Sequence, residues 1–348
     1  MNPVWQAFIS TQTSVNGNIV VDFGDTEKEL TAISDAITLN ELSSYGLIEI
    51  KGDDAESFLQ GQFSNDITHV TDNLSQISSY SSPKGRMFAI FRLCRYSDSY
   101  LLCLPRSILA SVLKRISMYV MMSKVTLTDV SDTLAHMGLT GEGSGQLLET
   151  ITGITLDSAN AVAQKNQILV IRHPGDTERY QLIAPPTALI KFWSAAAETA
   201  TLTGSDAWPL LDIQAGIPSI HPETSEAFVA QMTNLQTING INFKKGCYPG
   251  QEIVARMHYL GKLKRQMYLA EIKTTTRPLP GTTLVTANEA SRQGTGQVVD
   301  ARPNNKGGFD LLAVLNIASA EAGDICVENT DGAKLQFKDL PYELGAKP

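Results

Sequence analysis

Apolar and polar positions along this chain follow two periods, and the switches between them mark out a mixed fold. Residues 47–51, Leu-Ile-Glu-Ile-Lys, alternate as a half-buried strand does. Asp53 and Asp54 then open a short helix over 55–60, which Gly61 stops. Residues 75–82, 87–96 and 100–104 read as strands, separated by the turn-forming runs 83–86 and 97–99. The spacing predicts an amphipathic helix over 107–122 and a return strand over 124–130. A similar order follows: a strand at 134–139, a short helix at 145–152, a hairpin from 167–172 and 179–183, and a helix at 186–199. Residues 206–214 form a further helix, ended by Gly216 and Pro218, and 221–240 read as irregular. Residues 1–40 are polar and mixed and read as an arm with a short ordered stretch.

After Lys264 the pattern changes. Short strand-like runs at 266–272, 282–286, 296–301, 311–316, 324–328 and 334–337 are separated by Gly and Pro clusters, as in a small β-barrel. The expected class is therefore α+β: two related α+β units, 1–132 and 133–262, each with helices on an antiparallel sheet, then a C-terminal β-barrel over 263–348.

Composition narrows the function classes. The 348 residues carry a net charge of −8, which argues against a general nucleic-acid coat. No run approaches the roughly 18 apolar residues that span a bilayer. The start of the chain lacks a basic, apolar leader. The four cysteines, Cys94, Cys103, Cys247 and Cys326, form no C-x-x-C pair, and the five histidines form no i,i+4 pair. A reduced, cytoplasmic protein without a local metal motif and without membrane insertion is expected.

One segment reverses the overall sign. From 244 to 265 there are six Lys/Arg (Lys244, Lys245, Arg256, Lys262, Lys264, Arg265) and one acid, Glu252. Within it, Cys247 sits between Gly246 and Gly250. A thiol acts as nucleophile or ligand as the thiolate, which nearby cations favour. Glycines let a loop bring backbone N–H groups close to an anion. Lys244, Lys245, Gly246, Tyr248, Gly250, Gln251, Glu252 and Arg256 are the expected thiol-loop and anion-contact residues, with Cys247 as the candidate catalytic group.

The string Lys244-Lys-Gly-Cys-Tyr-Pro-Gly-Gln-Glu-Ile-Val-Ala-Arg256 resembles the signature of the YgfZ family, folate-binding, tRNA-modification-linked relatives of the glycine-cleavage T-protein (aminomethyltransferase). The resemblance extends to Gln60-Gly-Gln-Phe-Ser-Asn-Asp66, Pro83-Lys-Gly-Arg86, Leu211-Asp-Ile-Gln-Ala-Gly-Ile-Pro218 and Gln231-Met-Thr-Asn-Leu235, covering nearly the whole chain. It implies an α+β folate-binding body before a β-barrel. It also implies tetrahydrofolate or a derivative as cofactor, held near Trp208, Tyr45 and Glu226 between the α+β units, with Cys247 at the mouth of the cavity. The partners it implies are iron–sulfur enzymes, tRNA-modifying ones among them, with transient contact to a cluster and with tRNA as a further candidate. Trp208 and Tyr45 would stack on the pterin, Tyr45 standing where some relatives carry Trp, and Glu226 would hold the ring's N–H edge.

One departure separates this chain from the T-proteins. Those carry a catalytic Asp just after the turn that corresponds to 83–86, whereas here the strand reads Met87-Phe-Ala-Ile-Phe-Arg92. Transfer of an aminomethyl group needs a group to manage the folate nitrogen's proton. A folate-dependent one-carbon transferase and a non-catalytic RNA-binding adaptor are the alternative readings.

Overall fold

The computed structural model describes residues 1–11, 13–16, 19–286, 295–329 and 332–344. By internal contacts the chain forms two compact units that interleave in sequence. The first comprises Met1–Phe58, Ile67–Gln76 and Arg92–Pro209; the second comprises Leu59–Asp66, Ile77–Phe91 and Leu210–Pro348.

The first unit contains a six-stranded sheet. Its order is Val162–Lys165, Ile168–Arg172, Arg179–Ala184, Ala135–Thr140, Thr38–Glu41 and Thr201–Thr203. All its pairings are antiparallel except the last, where Thr201–Thr203 runs parallel to Thr38–Glu41. The helix Pro186–Ala196 buries Leu189, Phe192, Trp193 and Ala196 in the core of this layer. A second antiparallel layer pairs Tyr45–Lys51 with Ser99–Pro105 and Thr126–Asp129, and the Arg92–Tyr96 end of the strand Met87–Tyr96 joins Ser99–Pro105. The helix Arg106–Ser117 covers it with Ile108, Leu109, Val112 and Ile116.

Residues 1–40 differ from the expected arm. Asn2 caps the helix Pro3–Ile9 by accepting from the N–H groups of Val4 and Trp5. That helix buries Trp5 and Ile9, and Trp5 meets Trp193 edge to face at 5.4 Å. Asp25 caps a second helix, Thr26–Asp35, and the strand Thr38–Glu41 is wholly buried. The helix expected over 107–122 ends at Ser117. Met118, Tyr119, Met121 and Met122 beyond it are exposed, so their apolar pattern is not a core pattern.

In the second unit six strands form a curled antiparallel sheet. Its order is Ile325–Val327, Thr283–Thr286, Gly296–Pro303, Phe309–Asn316, Arg265–Ile272 and Leu335–Lys338. Its two edge strands meet through a bridge between Cys326 and Lys334 and a hydrogen bond from Val327 N to Ala333 O. Ala270, Ile272, Leu284, Val298, Leu311 and Leu315 fill the interior. This is the small C-terminal barrel that the strand spacing predicts, and the fold class is α+β as expected.

Candidate functional site

Four sequence motifs that lie far apart along the chain meet in the second unit, around Cys247. Asn242 begins the arrangement by accepting from the N–H groups of Lys244 and Lys245 (2.8 and 3.1 Å), an Asx turn that opens the loop. Lys245 then turns inward. Its ammonium donates to the backbone carbonyls of Gln60 (2.8 Å), Phe63 (2.7 Å) and Asn65 (2.8 Å), and lies 5.3 Å from the centre of the Tyr248 ring. Burial brings the Lys245 pKa down to about 8, so the group is mostly charged at neutral pH. Tyr248 is buried too, and its phenol is pushed up to about 12.

The segment Gln60–Asp66 is fastened to the approach of the same loop. Ser64 Oγ donates to Gly240 O (2.8 Å), Asn65 Nδ2 to Asn239 O (2.7 Å), and Asn242 N to Ser64 O (3.0 Å). The turn 83–86 abuts the far side of the loop. Gly250 has φ +84°, and a Cβ there would stand 2.7 Å from both Gly85 Cα and Ser82 O. This glycine is required twice, by its backbone angle and by the close approach. Gly246 is different: it does not have a positive φ, and a Cβ on it would meet open space. Conformational freedom is therefore needed at Gly250 only.

Gly250 precedes the helix Gln251–Leu260, which no apolar stripe announces in the sequence. Gln251 ties the helix start to the loop, with Nε2 donating to Lys245 O (3.3 Å) and N to Tyr248 O (3.1 Å). From the fourth motif, Gln231 Nε2 donates to Val254 O (2.6 Å) and Asn234 Nδ2 to Met267 O (3.0 Å). The motif 231–235 thus positions both the helix and the first barrel strand.

The product is an exposed thiol on a loop held from several sides. Cys247 is exposed, Cys94 and Cys326 are buried, and Cys103 is half-buried and accepts from Gln181 Nε2 at 3.2 Å. Lys244, Glu252 and Arg256 are exposed around Cys247 in sequence. The three donors of Lys245 are taken by carbonyls, which leaves Lys244 and Arg256 as the cations available to an anion.

Glu226 also lies in the second unit. Its backbone is left-handed (φ +61°), uncommon for a residue with a side chain, and its N–H donates to Met87 O (2.8 Å). Arg86 Nη1 donates to Ala227 O (2.6 Å), securing the same segment, and the Glu226 side chain is exposed. Backbone held in a sparsely populated region marks a candidate functional position.

The other two expected ligand residues belong to the first unit. Trp208 is 2% exposed. A Cβ on Gly138 would stand 2.4 Å from its ring, the Arg179 guanidinium lies 5.5 Å from the ring centre, and the His173 ring meets it edge-on at 4.8 Å. Trp208 is thus packed by Gly138, Arg179 and His173. Tyr45, half-buried, begins the strand Tyr45–Lys51, and its carbonyl is 3.2 Å from His136 Nε2. Between them runs a buried polar chain that sequence reasoning missed. His173 Nε2 lies 3.1 Å from Gln181 Oε1, and Gln181 Nε2 lies 3.4 Å from His136 Nδ1. Burial lowers His136 to about 4 and His173 well below its ordinary value, so both are neutral at pH 7. Among the described residues no three His, Cys, Asp or Glu side chains are grouped to hold a metal ion, and no helix is long and apolar enough to cross a membrane.

Comparison with known proteins matches this organisation. A protein from Photorhabdus laumondii called tRNA-modifying protein YgfZ is 32% identical over 309 residues, spanning 88% of this chain and 93% of its own. The protein of the same name from Klebsiella pneumoniae is 31% identical over 310 residues, covering 88% and 94%. This chain belongs to the YgfZ family. The family model for the GCVT N-terminal domain matches residues 18–168. A crystal structure of the glycine cleavage system aminomethyltransferase T from Bartonella henselae superimposes with a TM-score of 0.79 over 98% of this chain and 97% of its own, at 13% identity. The YgfZ-family chain thus has the T-protein fold that its sequence motifs imply.

Proposed function

We propose that this protein binds a reduced folate and supports iron–sulfur enzymes that act in tRNA modification, with Cys247 as its working thiol. Three things support the reading: family membership, the tRNA-modifying name its relatives carry, and a fold shared with an aminomethyltransferase. The observation that carries it is the presentation of Cys247. A single exposed cysteine stands on a loop that Lys245, Gly250 and Gln251 tie down, while Cys94 and Cys326 are buried as inert cysteines are.

The residues fit a folate in part. The exposed Glu226 carboxylate can accept a pair of N–H bonds from an aminopyrimidine edge. Tyr45 is half-buried. Trp208 is buried, with Gly138 and Arg179 as neighbours of its ring. When bound, a reduced folate would supply a one-carbon carrier or a reductant. The strand Met87–Tyr96 carries no carboxylate to manage the folate nitrogen's proton, which favours a supporting role over aminomethyl transfer. Contact of Cys247 with a cluster on a partner enzyme, and a cytoplasmic location, belong to the same proposal.

The test has two arms. Anaerobic calorimetry with tetrahydrofolate on the wild type and Glu226→Gln is expected to show binding that the variant weakens about tenfold, the loss of one charged hydrogen-bonding group. Cells carrying Cys247→Ala in place of the wild type are expected to lose thiolated tRNA. Absence of folate binding removes the first half of the proposal, and unchanged tRNA thiolation removes the second.

A further inference from the structure

The helix Gln251–Leu260 buries only Val254, and its last turn is left uncovered. Tyr259 is 65% exposed and Leu260 84%. Three rings meet there in a graded series. Phe243 stacks on His258 with centroids 3.8 Å apart and planes 16° from parallel, and Tyr259 meets His258 at 4.7 Å and 78°. The inner pair is half-buried, so the exposed ring of Tyr259 stands against other aromatic rings. Lys244, Arg256, Lys262 and Lys264 are exposed in the same stretch, and among the described residues none of the four forms an ion pair. Glu252 is the one acid in this stretch of a chain whose net charge is −8.

Exposed apolar area alone would fit many partners. The unpaired positive charge selects a polyanion, and a supported aromatic ring standing out among cations selects one with accessible flat faces. Duplex nucleic acid hides its base faces, whereas single strands and loops present them. We propose that this helix end is a single-stranded RNA site, in which Tyr259 stacks on an unpaired base and Arg256, Lys262 and Lys264 hold the flanking phosphates. The site rests on neither folate binding nor the thiol of Cys247. It gives a protein of this kind a direct grip on an RNA loop.

Fluorescence anisotropy with a short labelled single-stranded RNA, and with the same sequence annealed to its complement, tests the proposal on the full chain. The single strand is expected to bind more tightly than the duplex, with affinity falling as salt rises. Tyr259→Ala is expected to weaken binding roughly tenfold, the loss of one stacked base, while Tyr259→Phe retains it. Lys262→Gln should reduce the salt slope by about 0.7, the single-strand value for one phosphate contact. Both positions are exposed, and thermal melts confirm that the three variants are folded. Absence of binding at low salt overturns the proposal. So does binding that Tyr259→Ala leaves unchanged, or a preference for the duplex.

Discussion

Gly250 lies directly against Gly85: a Cβ on the first would stand 2.7 Å from the Cα of the second. Gly250→Ala must therefore displace backbone and also place a side chain at φ +84°. It is expected to destabilise the protein by about 2–4 kcal/mol. Gly246→Ala, in open space four positions earlier, is expected to stay within about 0.5 kcal/mol of the wild type. Urea unfolding of the two variants side by side reads the contrast, and equal midpoints would contradict the close approach.

Lys245 is predicted to be structural before it is electrostatic. Lys245→Met leaves the carbonyls of Gln60, Phe63 and Asn65 without their shared donor. A loss of about 2–4 kcal/mol is expected. The pH dependence has a definite sign. The folded protein releases this proton near pH 8 and an unfolded chain near 10.4, so between those values the unfolded state binds more protons. Folding is then favoured as pH rises, by up to about 1.4 kcal/mol per pH unit from this group. Denaturation midpoints for the wild type minus those for Lys245→Met, taken from pH 7.5 to about 10, should climb; a flat difference refutes the assignment.

His136 and His173 set the opposite limit. Both are buried and neutral, with folded values below the ordinary one, so the unfolded chain takes up their protons first as pH falls through about 6.5. The stability they contribute is complete above that value and is lost toward the folded value of about 4 for His136. The decline from His136 alone amounts to about 3 kcal/mol. Thermal melts from pH 7 down to about 4.5 should show a fall that His136→Gln makes shallower. A wild type equally stable across that range would be the contrary result.

Thiol labelling of the native protein should be sharply ordered. Cys247 is exposed and should react with a disulfide reagent first. Cys94 is buried, and burial pushes its thiol up to about 12, so it should react only on unfolding. Peptide mapping after brief labelling identifies the modified residue. Label at Cys94 before Cys247 would contradict the described environments.

These outcomes also show which parts of the molecule were written locally. Gly250 in the thiol loop could be read, because its backbone angle and the close approach of Gly85 admit only glycine there. The partners of Lys245 could not, because they are backbone carbonyls that any residue carries, about 180 positions away. The helix Gln251–Leu260 was missed because one buried side chain, Val254, gives it no apolar stripe. The helices in residues 1–40 did carry signals in Asn2-Pro3 and Asp25, but their polar composition outweighed them. Trp208 shows the reverse case: an aromatic expected at a ligand is packed against a glycine that nothing in its neighbourhood announces.

The 182 residues separating Phe63 from Lys245 set a timetable on the ribosome. Segment 59–66 leaves the exit tunnel early, carrying the acceptors of the clamp, and the donor emerges only after the rest of the first unit has been made. Until then the carbonyls of Gln60, Phe63 and Asn65 lack the donor that joins them in the finished protein. The exposed Cys247 follows the clamp by two residues. The loop around Cys247 can therefore be fixed only once Lys245, Gly250 and Gln251 have emerged, with the barrel strands still to be made.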